Sequence, residues 1–344
     1  MLKGYSMNAT VAKIRAIHGK MFTAAQYHEL LLKGSVSECA EYLAQSPRYK
    51  DVFRDTDPNT IHRGYLEELL HQQMYDTYVR ICEFQQLDQV PYYRFLIGRG
   101  EIDSILLMIN NINSGLENSF LVNLPGHMIK RARINVLEMS RAESFDELLS
   151  VLKGTIYYKP LSKVRVDASG KAEYTDCELA LRKSYFETLL EYVDKDFNGS
   201  EQKEIEDIIY FEIDTMNIIN AYRMKKYFGY SSERIKQSII TISGKPVGKL
   251  AEYFEIEDPD QMMAWISRSR YGKSHRETDI IETIIVSSRY QWLNHVLAST
   301  VSAPVALYAF MRLCAVEISN IVSIIEAVRY GADAAAVEKD MLIF

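Results

Sequence analysis

Apolar residues fall on the same helical stripe three times along the chain, each time around an acidic residue. Glu101-Ile102-Asp103, Glu212-Ile213-Asp214 and Glu317-Ile318-Ser319 align without a gap, 111 and 105 residues apart. Counted from each Glu, one position before it and three after it are apolar in all copies. They are Ile97, Ile102, Ile105 and Met108, then Ile208, Ile213, Met216 and Ile219, then Leu313, Ile318, Ile321 and Ile324. Steps of three to five residues keep such side chains on one helix face, whereas a strand would scatter them over two. The pattern predicts three equivalent helices, each with a polar group at a comparable place.

A second pattern recurs ahead of each stripe. Ser35-Val36-Ser37-Glu38 leads to Leu43, Ser46 and Tyr49; Ser144-Phe145-Asp146-Glu147 leads to Leu152, Thr155 and Tyr158. Asp258-Pro259-Asp260-Gln261 leads to Ile266, Ser269 and Tyr271, the tyrosine one residue early. Each opens as a helix N-terminus does, with a Ser or Asp oxygen for an orphan amide and a Glu or Gln three residues on. From cap to acidic motif is 63, 65 and 56 residues. Repeats of that size exceed the roughly 20–50 residues of a solenoid unit and predict small domains. The expected fold is all-α, with helical repeats at 1–116, 117–229 and 230–344.

Further segments fill in that plan. Asn8 to Phe22 reads as an amphipathic helix, with Val11, Ile14 and Ile17 inward and Lys13, Arg15 and Lys20 outward. Tyr65, Leu66, Leu69, Leu70, Met74 and Tyr78 step as another helix. Lys163 to Asp176 reads as a polar turn or short hairpin, and Gly331 as a helix C-cap. Val296 to Met311 is strongly apolar but too short for a membrane span and contains Pro304, so a buried helix is expected.

Composition narrows the function classes. The 344 residues are 47% hydrophobic and 25% charged, with 8 Pro and 16 Gly, which suits long helices with few tight turns. A net charge of −6 without a basic stripe counts against nucleic acid. Cys39, Cys82, Cys177 and Cys314 show no zinc or redox spacing and are expected to be reduced thiols. No apolar run follows Met1-Leu2-Lys3, so a cytoplasmic protein without a transmembrane segment is expected, able to sit on a membrane.

Metal and catalytic motifs are incomplete. Asp194 to Gly199 matches half a calcium loop, but Ile205 stands where a bidentate Glu is needed. Glu68 and His71 have di-iron spacing without the second such pair. The histidines at 18, 28, 62, 71, 127, 275 and 295 form no other ligand spacing. Gly244-Lys245 and Gly248-Lys249 lack the phosphate-loop pattern, and no nucleophile motif is found. No metal, cofactor or catalytic residue is expected. For the acidic positions two readings stand: each Glu pairs within its own domain, or the three helices converge on a polar central pocket. In the second copy Asn217 and Asn220 replace apolar residues, as in a helix less buried or facing a partner.

These motifs, in this order, resemble the C subunit of the V-type and archaeal or bacterial A-type rotary ATPases, called the d subunit in eukaryotes. The likeness spans essentially the whole chain. It rests on Asn8 to Phe22 followed by Tyr27-His28-Glu29-Leu30-Leu31, on the three cap motifs, and most on Cys314 to Gly331. That last run reads Glu317-Ile318-Ser319-Asn320-Ile321, then Ile324-Ile325, and ends in Arg329-Tyr330-Gly331. The chain departs from the family's usual opening, which has an Arg near Thr10, and carries an acidic residue with Ser or Thr where the Asn320 equivalent is expected in the first two copies. The resemblance implies a pseudo-threefold funnel without catalytic residues, peripheral to the membrane. It would cap the membrane proteolipid ring and receive the D and F subunits of the central stalk, coupling ATP to proton or sodium transport. Glu101, Asp103, Glu212, Asp214, Glu317 and Arg329 are then the candidate socket residues. A helical scaffold unrelated to rotary motors, or an all-α enzyme with a carboxylate-lined cavity, are the other classes that fit the residues.

Overall fold

Helices begin where the caps place them. A computed structural model of the chain describes residues 2–57, 61–85, 87, 90–96, 98–115, 134–243, 250–273, 280–340 and 343. Ile97, His127, His275, both Gly-Lys pairs at 244–249 and the 116/117 boundary lie outside those residues.

Helix α1 (Leu2–His18) stops earlier than the Asn8 to Phe22 stripe suggests, and α2 (Ala24–Leu31) starts on a reciprocal Thr23–Gln26 capping box. Phe22 has left the helix and gives its amide to Glu317 instead. Next come α3 (Val36–Gln45), α4 (Arg63–Gln85), α5 (Pro91–Leu96) and the first acidic helix, α6 (Arg99–Ser114). They are followed by α7 (Val136–Met139), α8 (Phe145–Val151), α9 (Tyr158–Leu161) and α10 (Tyr174–Asp196). The second acidic helix is α11 (Gly199–Phe228), with α12 (Ser232–Gln237), α13 (Leu250–Phe254) and α14 (Pro259–Arg268) behind it. Last are α15 (Ile281–Ser299), the third acidic helix α16 (Ala303–Tyr330) and α17 (Ala334–Asp340).

The protein is all-α. Among the described residues the β pairing is one isolated bridge, Val166 to Ala172, inside the segment read as a turn or hairpin. There Asp167 accepts the amides of Ser169 and Lys171, and Gly170 takes the left-handed φ of 79° that the turn requires. The apolar run from Val296 to Met311 is two helices, not one. Ser302 caps α16 with Pro304 in its first turn, and Arg15 donates to the carbonyls of Leu297, Ala298 and Thr300 at the end of α15. Helix α16 is long and apolar enough to cross a membrane, but 72% of its most apolar window is buried inside the protein.

The chain divides into two compact units. One comprises Met1–Leu87, Tyr210–Ile219 and Asp258–Phe344; the other comprises Asp88–Ile209 and Asn220–Glu257. In the first, α16 packs against α1, α2, α3, α4 and α15. Its stripe (Leu313, Ile318, Ile321, Ile324) is buried, and Phe22, Tyr27, Leu30, Leu43, Leu66 and Leu70 join the same core. In the second unit α10 packs on α5, α6 and α9. Phe95 stacks on Tyr185 with ring centroids 5.0 Å apart, and Ile102, Ile105 and Leu189 close the core beside them. Helix α11 supplies residues to both units; Met216 and Ile219 on its stripe are half-buried, while Asn217 is buried.

Candidate functional site

The three cap segments fold alike down to single hydrogen bonds. Ser35, Ser144 and Asp258 each accept an amide in the first turn, from Glu38, Glu147 and Asp260. Glu38 and Glu147 reach back, but to the amides of Gly34 and Glu143, one residue before the cap. At the other end, the amides of Ser46, Thr155 and Ser269 bond to Leu43, Leu152 and Ile266 carbonyls. Their hydroxyls then accept the amides of Arg48, Tyr157 and Tyr271 at 3.1, 3.2 and 3.1 Å. This Ser/Thr turn fixes the backbone two residues on in the same way each time.

The side chain two residues past the Ser or Thr is what meets an acidic helix. Arg48 Nε donates to Glu317 Oε2 at 3.0 Å, and both side chains are buried. The Phe22 amide donates to the other oxygen of Glu317 at 2.8 Å, and Arg48 Nη2 lies 3.1 Å from Cys314 Sγ. The Tyr157 hydroxyl, 2.6 Å from Glu101 Oε2, donates to that carboxylate. The Tyr271 hydroxyl donates to Asp214 Oδ2 at 2.5 Å, with Arg270 Nη2 3.3 Å from the same oxygen. In the second copy the carboxylate facing the cap segment is therefore Asp214, two residues past Glu212. Glu212 itself is held by α16: the Tyr308 hydroxyl donates to it at 2.5 Å and Arg312 pairs with it at 3.0 Å.

Glu101, Glu212 and Glu317 are only 4%, 2% and 1% exposed, so each is closed in by partners from this chain. Asp103 is mostly exposed and lies 3.6 Å from Arg182. Asp214 is 22% exposed at its side chain, and burial pushes its carboxyl above the usual range against the opposing bonds from Tyr271 and Arg270. Arg329 is exposed and lies over the Tyr330 ring at 5.3 Å. Sequence reasoning named the carboxylates but not Arg48 and Tyr157. It aligned the copies on Tyr49, Tyr158 and Tyr271, whereas the shared position is two residues past the Ser or Thr; the early tyrosine of the third copy was the available signal. Tyr49 instead packs edge-on against Phe22, fully buried.

The residues weighed for metals have other local roles. Asp194 accepts from Gln202 at 3.2 Å and Asp196 from the Tyr92 amide at 3.1 Å, which ties the start of α5 to the end of α10. No group of three His, Cys, Asp or Glu able to hold a metal is found among the described residues. The four cysteines are buried thiols, and burial raises Cys39, Cys177 and Cys314 to about 12.

Set beside known proteins, this architecture has a clear place. The family described as ATP synthase (C/AC39) subunit matches residues 10–339, and the chain belongs to that family. Among its relatives is the A-type ATP synthase C subunit of Desulfurococcus sp. (strain SY), 25% identical over 270 residues, 77% of this chain and 69% of the relative. Its counterpart in Thermococcus onnurineus is 24% identical over 77% of this chain and 69% of its own length. That of Halorubrum lacusprofundi is 22% identical over 76% and 73%.

Proposed function

We propose that the chain is the non-catalytic central-stalk component of a V/A-type ATPase, a socket between the rotating shaft (the D and F subunits) and the membrane proteolipid ring. In that role it couples ATP to proton or sodium transport from the membrane periphery. The family match over residues 10–339 carries this reading. A part that transmits torque must resist shear, and cap segments tied to acidic helices through buried polar contacts suit that demand. Cap two meets the first acidic helix, cap three the second, and cap one the third. The repeats at 1–116, 117–229 and 230–344 remain part of this proposal, with each such pair joining neighbours across those boundaries.

Within the candidate socket set the roles then divide. Glu101, Glu212, Glu317 and Asp214 hold elements of this chain together, while the exposed Asp103 and Arg329 are left as the candidates to meet a partner. Affinity capture of the tagged chain from native membranes tests the assignment. Co-recovery of the other rotary ATPase components is expected, and the purified chain should hydrolyse no ATP. Recovery of unrelated soluble proteins alone would overturn it.

A further inference from the structure

The end of α11 carries an aromatic and basic surface. Tyr227 and Phe228, its last two residues, are each 68% exposed. Phe228 lies 5.8 Å from the Tyr230 ring across the turn, and the Arg234 guanidinium covers Tyr230 at 3.9 Å. On the other side the exposed Lys226 donates to the Tyr222 hydroxyl at 2.8 Å, with its Nζ 5.9 Å from the Tyr227 ring. From 223 to 236 the chain holds Arg223, Lys225, Lys226, Arg234 and Lys236 against the single carboxylate Glu233. Glu257 and Glu255 pair with Lys225 and Lys236 and cancel two of these charges. That leaves Arg223, Lys226 and Arg234 against Glu233, a small positive excess in a chain of net charge −6.

We propose that this tip binds an anionic lipid surface, with Tyr227 and Phe228 entering the headgroup layer and Lys226 and Arg234 facing lipid phosphates. Two features favour lipid over an acidic protein. Aromatic rings flanked by Lys and Arg are the residues that settle at a membrane interface. The end of the helix is also closed: the Gly229 and Tyr230 amides bond back to the Lys225 and Met224 carbonyls, which lowers the penalty of drying that backbone. The same pairing of ring and cation recurs at the end of α16, where Tyr330 is 72% exposed beside Arg329.

Co-flotation of the full chain with vesicles tests the proposal independently of the stalk assignment, since no other protein is present. Binding is expected to vesicles of phosphatidylcholine with phosphatidylglycerol, and not to phosphatidylcholine alone. The exposed double change Tyr227→Ser/Phe228→Ser should reduce partition about tenfold. The pair Lys226→Gln/Arg234→Gln should reduce it roughly fivefold per charge and remove the salt dependence of what remains. Unchanged melting of both variants would show that the fold is intact. Absence of flotation, equal binding to neutral vesicles, or ring variants that float as well as the parent would each overturn the lipid assignment. So would a ring variant that no longer captures the stalk proteins when the parent itself binds no vesicles, which would make the tip a protein surface.

Discussion

The same backbone frame holds a salt bridge in one unit and a phenol in the other. At Glu317 the cap segment sends in Arg48; at Glu101 it sends in Tyr157. The turn is shared, with Ser46 and Thr155 fixing the backbone through equivalent hydrogen bonds. What differs is how much support each choice demands. A guanidinium buried beside a carboxylate loses hydration that the ion pair restores only if the remaining donors and acceptors are filled. The charged site accordingly recruits the Phe22 amide and Cys314 Sγ, and Gln73 donates to the Arg48 carbonyl. A phenol brings no charge of its own, and the Tyr157 hydroxyl lies near the Gly98 carbonyl as well as Glu101. Geometry is the repeated part, and chemistry is free to vary within it.

The largest expected effect follows from that contrast. Arg48→Met leaves Glu317 buried beside an apolar side chain and should destabilise the protein by about 3–5 kcal/mol. Adding Glu317→Met should recover much of the loss, because two apolar residues need no counter-charge. Urea unfolding of the two variants measures both quantities. If Arg48→Met alone were nearly neutral, the charged site would be no different in kind from the phenolic one.

Tyr157→Phe removes one hydroxyl donor and leaves the carboxylate of Glu101 in place. A hydrogen bond to a charged group contributes about 1.5–3 kcal/mol, so the loss should fall below that of Arg48→Met. The same urea titration checks it. A larger loss than at Arg48 would invert the comparison.

The third frame separates the two by titration. Asp214 has a folded value raised above that of the unfolded chain, with burial as the main cause. A group shifted this way binds its proton more tightly when folded, so its stabilising share is full below the unfolded value and fades as pH rises through the folded one. The usual paired carboxylate behaves the other way. Asp214→Asn should therefore flatten that decline and gain stability relative to the parent as pH rises past about 4. Thermal melts of both proteins across the acid range give the difference directly. A relative loss that grows as pH rises would show that Tyr271 and Arg270 outweigh burial.

Much of this was legible in the chain. The caps at Ser35, Ser144 and Asp258 were readable because a helix start is local chemistry, settled within four residues. The first and third stripes were readable because burial on one face leaves a period. Glu101, Glu212 and Glu317 stood out by recurrence, but their burial did not, since a carboxylate on a stripe reads the same whether it faces solvent or an unseen partner. Those partners lie far along the chain, 269 residues for Arg48 and 96 for Tyr308, and no local pattern encodes them. Arg48 in particular carries no local sign of burial, because Arg is almost never fully buried unless paired. The early end of α1 did carry a local signal, Gly19 just past His18 and the Thr23–Gln26 box that opens α2; Phe22 falls between the two helices and gives its amide to Glu317.

The smallest stability effect is expected where the proposed function lies. Asp103 and Arg329 are exposed, and changing them to Asn and Gln should move stability by no more than about 0.5 kcal/mol. If they meet the stalk or the ring, each loses a rim contact of about 0.2–1 kcal/mol, so the double variant should bind roughly twofold to thirtyfold more weakly. That loss should shrink in high salt, where exposed charges are screened. Buried Glu101 and Glu317 predict the reverse: replacing both by Gln should lower the melting temperature while the intact fraction still captures its partners. Measuring melting and capture on the two double variants separates locking residues from contacting ones. Weak capture by the Gln pair with unchanged melting would put the buried carboxylates at the interface and dissolve the division of roles drawn between them and the exposed residues.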